Sequence, residues 1–266
     1  MFYKTTDNQQ LYYELIGNKN SNKYLIFLNG ISQSTTAWNL MIPSFEKEYQ
    51  IILCDFIFQG QSDKKGEVRD FDQHAEDIFG LINSLVINKV IVTGISYGSL
   101  VAQNFAVNYP KKVDKLILLS TFAHKTPYYN SVEQAWSRTL ESGGLSLMLD
   151  VMFPMVLGEK YFEHPLIPFD LLKSGREIAN KDPEPLKKLM KATKDRPDYR
   201  EKLKAIKIST LVIHGEKDML LFVHMGKEVA QAIAGSKFEI IPNVGHTLNL
   251  EAVPQVVKVI QDFLKK

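Results

Sequence analysis

The chain has 266 residues, a formal net charge of +2, and 45% hydrophobic against 23% charged residues. This balance is typical of a soluble globular protein with a buried core, and it excludes a largely disordered chain. The length suits one large α/β domain with an insertion, or two small domains. Lys and Arg are spread along the chain without a dense basic block, so no nucleic-acid partner is expected.

No apolar run approaches the roughly 20 residues that span a bilayer. The N-terminal residues lack the basic and apolar pattern of a signal peptide, so a cytoplasmic location and no membrane span are expected. The one cysteine, Cys54, cannot form an internal disulfide and lies in an apolar run. A small buried side chain is its expected role.

Short β-rich runs alternate with helical patterns, which predicts a mostly parallel sheet flanked by helices. We expect a hairpin over 2–16, strands at 24–28, 51–56, 90–93 and 116–119, and helices over 38–49, 73–85 and 99–109. Asp72 is expected to begin the helix over 73–85, and Pro110 is expected to end the helix over 99–109.

The pattern changes between residues 124 and 207, which are rich in Pro, Met, Tyr and Lys and contain no convincing strand. We interpret 124–207 as a helical cap inserted late in the sheet, between a first core part, 1–123, and a second, 208–266. Strands return at 210–213 and 238–241, and each is followed by a helical segment.

The strand at 90–93 runs into Gly94-Ile95-Ser96-Tyr97-Gly98 and then into a helix. The G-x-S-x-G pattern alone is weak evidence, but a strand before it and a helix after it form the context of a nucleophile elbow. A serine on so tight a turn adopts strained backbone angles, and small neighbours let strand and helix approach closely. Ser96 is therefore the predicted nucleophile.

A serine hydroxyl needs a general base, and the base needs a group that orients it. Among six histidines only His246 lies on a loop between a late strand and the final helix, so it is the predicted base; structural or solvated roles are expected for the other five. Asp218, on the loop after the preceding strand, is the predicted carboxylate, with Glu216 as its rival. Asp55, after an early strand, is expected to be a structural turn carboxylate.

Acyl transfer also requires hydrogen-bond donors for the developing oxyanion. The N–H of Tyr97, directly after the nucleophile, is one predicted donor. The second is the N–H of Ile31, on the loop that follows the strand at 24–28. Asn29-Gly30 taken alone would indicate only an ordinary turn.

With these residues in place, the chain resembles the α/β-hydrolase superfamily over essentially its whole length, and most closely the cofactor-free esterase, lactonase and haloperoxidase-like members. The resemblance implies an eight-stranded, mostly parallel sheet with a helical cap, and neither a metal nor an organic cofactor. Those proteins usually have His-Gly where this chain has Asn29-Gly30, so the hydrogen bonds that shape the oxyanion loop are expected to differ. Residues 55–62 are similar to the family pattern D-x-x-G-x-G-x-S, with Gln59 in the glycine region.

A narrower resemblance, to the 3-hydroxyacyl-carrier-protein transacylases, rests on Asn29-Gly30, Thr35-Thr36-Ala37 and residues 55–62. The expected function is hydrolysis of a small-molecule carboxylic ester or thioester through an acyl-enzyme. An acyltransferase, a lactonase or C–C bond hydrolase, and a non-catalytic ligand sensor stay open. Seven side chains of the cap are candidates for an apolar acyl pocket, with plain core packing as the equal alternative: Tyr128, Tyr129, Trp136, Met148, Met152, Phe153 and Met155.

Overall fold

An eight-stranded sheet with the strand order β1-β2-β4-β3-β5-β6-β7-β8 forms the centre of the protein in the computed structural model, which describes residues 1–265. β1 and β2 are antiparallel additions at one edge, and the six other strands run parallel. The strands are β1 (Phe2–Lys4), β2 (Gln10–Gly17), β3 (Tyr24–Leu28), β4 (Gln50–Cys54), β5 (Val90–Ile95), β6 (Val113–Leu119), β7 (Thr210–Gly215) and β8 (Lys237–Ile241). The prediction of an α/β-hydrolase fold with an eight-stranded, mostly parallel sheet is confirmed.

Apolar layers cover both faces of the sheet. Val90 and Val92 of β5 belong to one buried cluster, and Ile91 and Ile95 of the same strand belong to the other. This division follows from the geometry of a strand, in which successive side chains point to opposite faces. A sheet buried on both faces explains why the central strands are continuous apolar runs.

Ten α-helices are present in residues 1–265: α1 (Phe71–Ser84), α2 (Tyr97–Asn108), α3 (Pro127–Val156), α4 (Glu159–Glu163), α5 (Phe169–Ala179), α6 (Pro183–Asp195), α7 (Arg200–Leu203), α8 (Val223–Ala232), α9 (Leu248–Glu251) and α10 (Val253–Leu264). Residues 120–209, here called the β6–β7 insertion, contain α3 to α7 and no strand. The exact cap boundaries at 124 and 207 stay a prediction. No helix in 1–265 is long and apolar enough to cross a membrane.

The expected helix over 38–49 is wrong. The chain there forms two short 3-10 turns, Thr35–Trp38 and Ile42–Ser44. Pro43 lies in the middle of the segment, where its missing N–H and its ring oppose a continuous helix. The apolar side chains of this segment still serve burial, since Met41 and Phe45 are almost fully buried.

Helix α1 starts earlier than expected, and Asp70 rather than Asp72 caps it. The Asp70 side chain accepts a hydrogen bond from the Gln73 backbone N–H at 2.8 Å, and the Gln73 side chain accepts one from the Asp70 N–H at 2.9 Å. This reciprocal capping box satisfies two donors at the start of the helix. Asp72 instead accepts hydrogen bonds from the side chains of Asn104 and Asn108.

Candidate active site

Ser96 lies at the sharp turn between β5 and α2, at the carboxyl edge of the sheet. Its backbone has φ 52° and ψ −117°, in a region that non-glycine residues rarely adopt. A Cβ atom at Gly94 would overlap the Gly98 carbonyl, and one at Gly98 would overlap the Leu28 carbonyl. The close approach of β3, β5 and α2 therefore requires both glycines, and it fixes Ser96 in a conformation that costs about 1–3 kcal/mol.

His246 and Asp218 form a buried hydrogen-bonded pair. The His246 Nδ1 lies 2.8 Å from the Asp218 Oδ2, and the Asp218 Oδ1 accepts hydrogen bonds from the N–H groups of Leu220 and Leu221 at 3.0 and 2.8 Å. Burial alone raises the pKa of the Asp218 carboxyl, but the neighbouring His246 and His214 imidazoles lower it to about 2. Asp218 is therefore a carboxylate at neutral pH, and it holds the Nδ1 side of His246 so that Nε2 is left for chemistry.

Glu216 does not take this place. Its side chain is exposed on the same loop as Asp218, and it accepts a hydrogen bond from the Asn243 backbone N–H at 2.9 Å. This bond joins the loop after β7 to the loop after β8. Of the two acidic candidates, only Asp218 contacts His246.

His214 also touches Asp218, which the sequence analysis did not foresee. Its Nε2 lies 2.5 Å from the Leu221 carbonyl oxygen and 3.3 Å from the Asp218 Oδ2, and the side chain is fully buried. Because the carbonyl can only accept, Nε2 carries the proton. The available signal was its position at the end of β7, four residues before Asp218.

Two glutamine side chains hold the loop after β3 in shape. Gln59 Nε2 donates to the carbonyl oxygens of Gly30 and Ile31 at 2.9 and 3.1 Å, and Gln33 Oε1 accepts from the Gly30 N–H at 2.8 Å. The bond to the Gly30 carbonyl fixes the peptide plane that contains the Ile31 N–H, and the other two bonds fix the neighbouring planes. Ile31 and Tyr97 line the same cavity as Ser96, so both predicted oxyanion donors belong to residues beside the nucleophile.

Asn29 anchors that loop to the end of β4. Its side-chain oxygen accepts a hydrogen bond from the Trp38 Nε1 at 2.8 Å, and its amide donates to the Cys54 carbonyl at 2.9 Å and to the Asp55 Oδ1 at 3.1 Å. Asp55 in turn accepts from the Gln61 backbone N–H at 2.8 Å. The asparagine therefore acts here as a fully hydrogen-bonded buried anchor, and Asp55 acts as a turn carboxylate.

Glu251 binds three backbone N–H groups around the histidine loop. One carboxylate oxygen accepts from Gly158 at 2.8 Å and from Gly245 at 2.9 Å, and the other accepts from Thr247 at 2.9 Å. His246 thus lies between two residues that the same carboxylate holds. Burial raises the pKa of Glu251, and the three N–H donors oppose that shift. Sequence reasoning missed this residue because its partners are set by tertiary structure.

Ser96 and His246 line one cavity, which the β6–β7 insertion covers. Three of the seven side chains expected to form an apolar acyl pocket line it: Tyr129, Trp136 and Met152. The other four, Tyr128, Met148, Phe153 and Met155, do not line this cavity. Met148, for example, has no exposed surface and packs in the core. Core packing is therefore the role of some of these seven side chains, such as Met148.

The cavity can support nucleophilic acyl chemistry because a serine, an imidazole and the residues of two backbone donors border it, and a carboxylate behind the imidazole orients it. Within residues 1–265, no group of three His, Cys, Asp or Glu side chains is placed to hold a metal ion. Cys54 is buried below the cavity loops, and burial raises the pKa of its thiol.

Comparisons with known proteins agree with the fold. The profile of the alpha/beta hydrolase fold family matches residues 23–147. Epoxide hydrolase 3 of Xenopus tropicalis is 25% identical over 279 residues, which covers 97% of this chain and 75% of the relative. The 3-oxoadipate enol-lactonase 2 of Acinetobacter baylyi is 25% identical over 230 residues, covering 85% and 83%. A thermophilic esterase from Thermogutta terrifontis has a similar structure, with a TM-score of 0.88, 24% identity, and coverage of 100% and 97%.

Proposed function

We propose that this protein, a member of the α/β-hydrolase superfamily, hydrolyses carboxylic esters through an acyl-enzyme formed on Ser96. The observation that carries the proposal is that His246, paired with the buried Asp218 at 2.8 Å, lines the same cavity as a serine at a strained elbow. The apolar side chains of Tyr129, Trp136 and Met152 suit the acyl group of such an ester.

In the first step the Ser96 Oγ attacks the ester carbonyl carbon while His246 Nε2 accepts the hydroxyl proton. The carbonyl π electrons move to oxygen, and the N–H groups of Ile31 and Tyr97 stabilise the resulting oxyanion. Asp218 stabilises the imidazolium without taking its proton. The tetrahedral intermediate then collapses, the C–O bond to the alcohol breaks, and His246 protonates the departing alkoxide.

In the second step His246 removes a proton from water, and the hydroxide formed attacks the acyl carbon. The same two N–H groups bind the second oxyanion. Collapse releases the carboxylic acid and returns the proton to Ser96. Each cycle consumes one ester and one water and leaves the protein unchanged.

A fluorophosphonate probe tests the nucleophile directly. We expect covalent labelling of the protein, with the adduct mapped by mass spectrometry to Ser96, and loss of labelling in Ser96→Ala. Ser84→Ala is the matched control, because Ser84 lies at the far end of α1 and its hydroxyl donates only to the Leu81 carbonyl. A folded protein that stays unlabelled would refute the enzymatic proposal and would favour the alternative of a non-catalytic ligand sensor.

A series of p-nitrophenyl esters of increasing chain length then measures the acyl pocket. Adding an alcohol or thiol acceptor to the same reactions separates hydrolysis from acyl transfer, because a transferase forms the new ester at the expense of free acid. Acyl transfer stays an alternative that these assays can favour, and C–C bond hydrolysis stays an alternative whose test needs a substrate with a carbon leaving group.

Lactone hydrolysis is the second candidate function. It is supported by the 25% identity with an enol-lactonase over 85% of this chain. The same residues would open a cyclic ester, except that the leaving alcohol stays attached to the acyl group. Ring opening of small lactones, followed by acid release, tests this candidate beside the open-chain esters.

A further inference from the structure

Arg176 brings a positive charge to the catalytic cavity. The residue lies on α5 of the β6–β7 insertion, and its side chain lines both the cavity of Ser96 and an adjoining groove between α5 and residues 32–40. Its Nη1 donates to the Ser32 Oγ at 2.5 Å. The guanidinium therefore lies at the junction of the two spaces, beside the loop that contains Ile31.

No carboxylate within residues 1–265 pairs with this guanidinium. Its one side-chain hydrogen bond in that part of the chain goes to a neutral hydroxyl, although a guanidinium has five N–H donors. Burial lowers the pKa of Arg176 to about 10, so the side chain is still a cation at neutral pH. A charge that is partly removed from water without a counter-ion is costly, and a bound anion would offset that cost.

Glu133, an acidic residue, lines the same cavity as Arg176. It forms no ion pair with Arg176, and burial raises its pKa while Lys125 and Lys194 oppose that shift. Glu133 therefore leaves the positive charge of Arg176 available to a ligand.

We infer that the substrate is an ester that also carries a carboxylate, and that Arg176 binds this carboxylate at the mouth of the catalytic cavity. The inference rests on the proposed ester hydrolysis and adds a substrate class to it. A guanidinium matches a carboxylate geometrically, with two parallel N–H···O bonds. Because Ser32 follows Ile31 in the chain, an anion held at Arg176 also stays close to the loop that binds the oxyanion.

Matched substrates test the inference. Monomethyl glutarate carries the carboxylate on the acyl side, and acetoxyacetate carries it on the alcohol side. In the comparison esters a methyl ketone replaces the carboxylate: the ketone analogue of monomethyl glutarate, and acetoxyacetone. Acid release in a pH-stat gives kcat/KM for each ester, and the ratio within each pair is the carboxylate preference.

For at least one pair, we expect the wild type to prefer the carboxylate and Arg176→Gln to lose about 10- to 100-fold of that preference, as is usual when a charged hydrogen-bond partner is removed. Arg176→Lys should keep part of it, because the charge remains and the paired donors do not. Arg138→Gln, at an exposed arginine on α3, should leave the preference unchanged.

An unchanged preference in Arg176→Gln would overturn the inference. So would an equal loss on both esters of a pair, since that pattern means that the guanidinium only fastens the Ser32 loop. The proposed function fails differently: neither ester of either pair would be hydrolysed by any variant, and the fluorophosphonate probe would not label Ser96.

Discussion

Replacing Glu251 by alanine should destabilise the protein and slow catalysis together. The carboxylate accepts hydrogen bonds from the N–H groups of Gly158, Gly245 and Thr247, at 2.8 to 2.9 Å. Alanine would leave the N–H groups of Gly158 and Gly245 without this acceptor, whereas the Thr247 N–H would keep its longer bond, 3.2 Å, to the Val156 carbonyl. Gly245 and Thr247 flank His246, so the loop that positions the imidazole would lose its fixed shape.

The size of the effect follows from the two donors that would be left unpaired, those of Gly158 and Gly245. A buried donor left unpaired costs about 1–3 kcal/mol, and the low end applies here because the site is only partly buried. Removing the carboxylate also removes the cost of burying its charge, which the raised pKa of Glu251 reflects. We therefore expect a net loss of about 1–2 kcal/mol in the free energy of unfolding, together with a fall of about 100-fold in kcat, as a small misplacement of a catalytic group can cause.

Urea unfolding and steady-state ester hydrolysis measure the two effects. Glu216→Ala is the matched control, because this exposed acid on the neighbouring loop accepts a single backbone N–H from Asn243. It should change the unfolding free energy by at most about 1 kcal/mol. If Glu251→Ala unfolds at the same urea concentration as Glu216→Ala and keeps the wild-type kcat, Glu251 does not hold the histidine loop.

Two further predictions concern buried polar side chains. Gln59→Leu removes the donor to the Gly30 and Ile31 carbonyls, so kcat should fall by about 10- to 100-fold. The control is Gln61→Leu, at an exposed glutamine, which should keep the wild-type kcat in the same assay. His74 is fully buried without a hydrogen-bond partner in residues 1–265, and burial lowers its pKa to about 3. Between pH 6.5 and 3 the unfolded chain binds a proton at His74 that the folded protein does not, so acid should reduce wild-type stability relative to His74→Leu by about 1.4 kcal/mol per pH unit. Equal slopes of unfolding free energy against pH for the two proteins would contradict this account.

The residues of the proposed chemistry were accessible to sequence reasoning because local patterns mark them. Ser96 stands between a strand and a helix, and His246 and Asp218 follow late strands, so all three belong to the carboxyl edge of a parallel sheet. Their positions depend on strand ends, which apolar runs and glycines reveal. In the structure His246 contacts Asp218, and Ser96 and His246 line one cavity.

The supporting contacts were not accessible, because they join residues far apart in the chain. Arg176 bonds to Ser32 across 144 positions, and Glu251 bonds to Gly158 across 93. No local pattern marks a polar side chain for a partner at such a distance. The wrong helix over 38–49 has a local origin, since Pro43 lies inside the segment and opposes a continuous helix, and the chain forms two short 3-10 turns instead.

These distant contacts connect the β6–β7 insertion to both catalytic loops. The N–H groups of His246 and Thr247 donate to the Val156 carbonyl at the end of α3, at 3.1 and 3.2 Å, and Arg176 donates to Ser32 beside the oxyanion loop. A cover that only enclosed the substrate would have no hydrogen bonds to the catalytic loops. The insertion shares such bonds with the His246 loop and with the loop of Ile31 and Ser32, so its position and the geometry of the proposed site are coupled. Under the proposed function, a substrate that binds against the insertion acts on the loops of the proposed base and oxyanion donor, and changes in the insertion should alter kcat as well as KM.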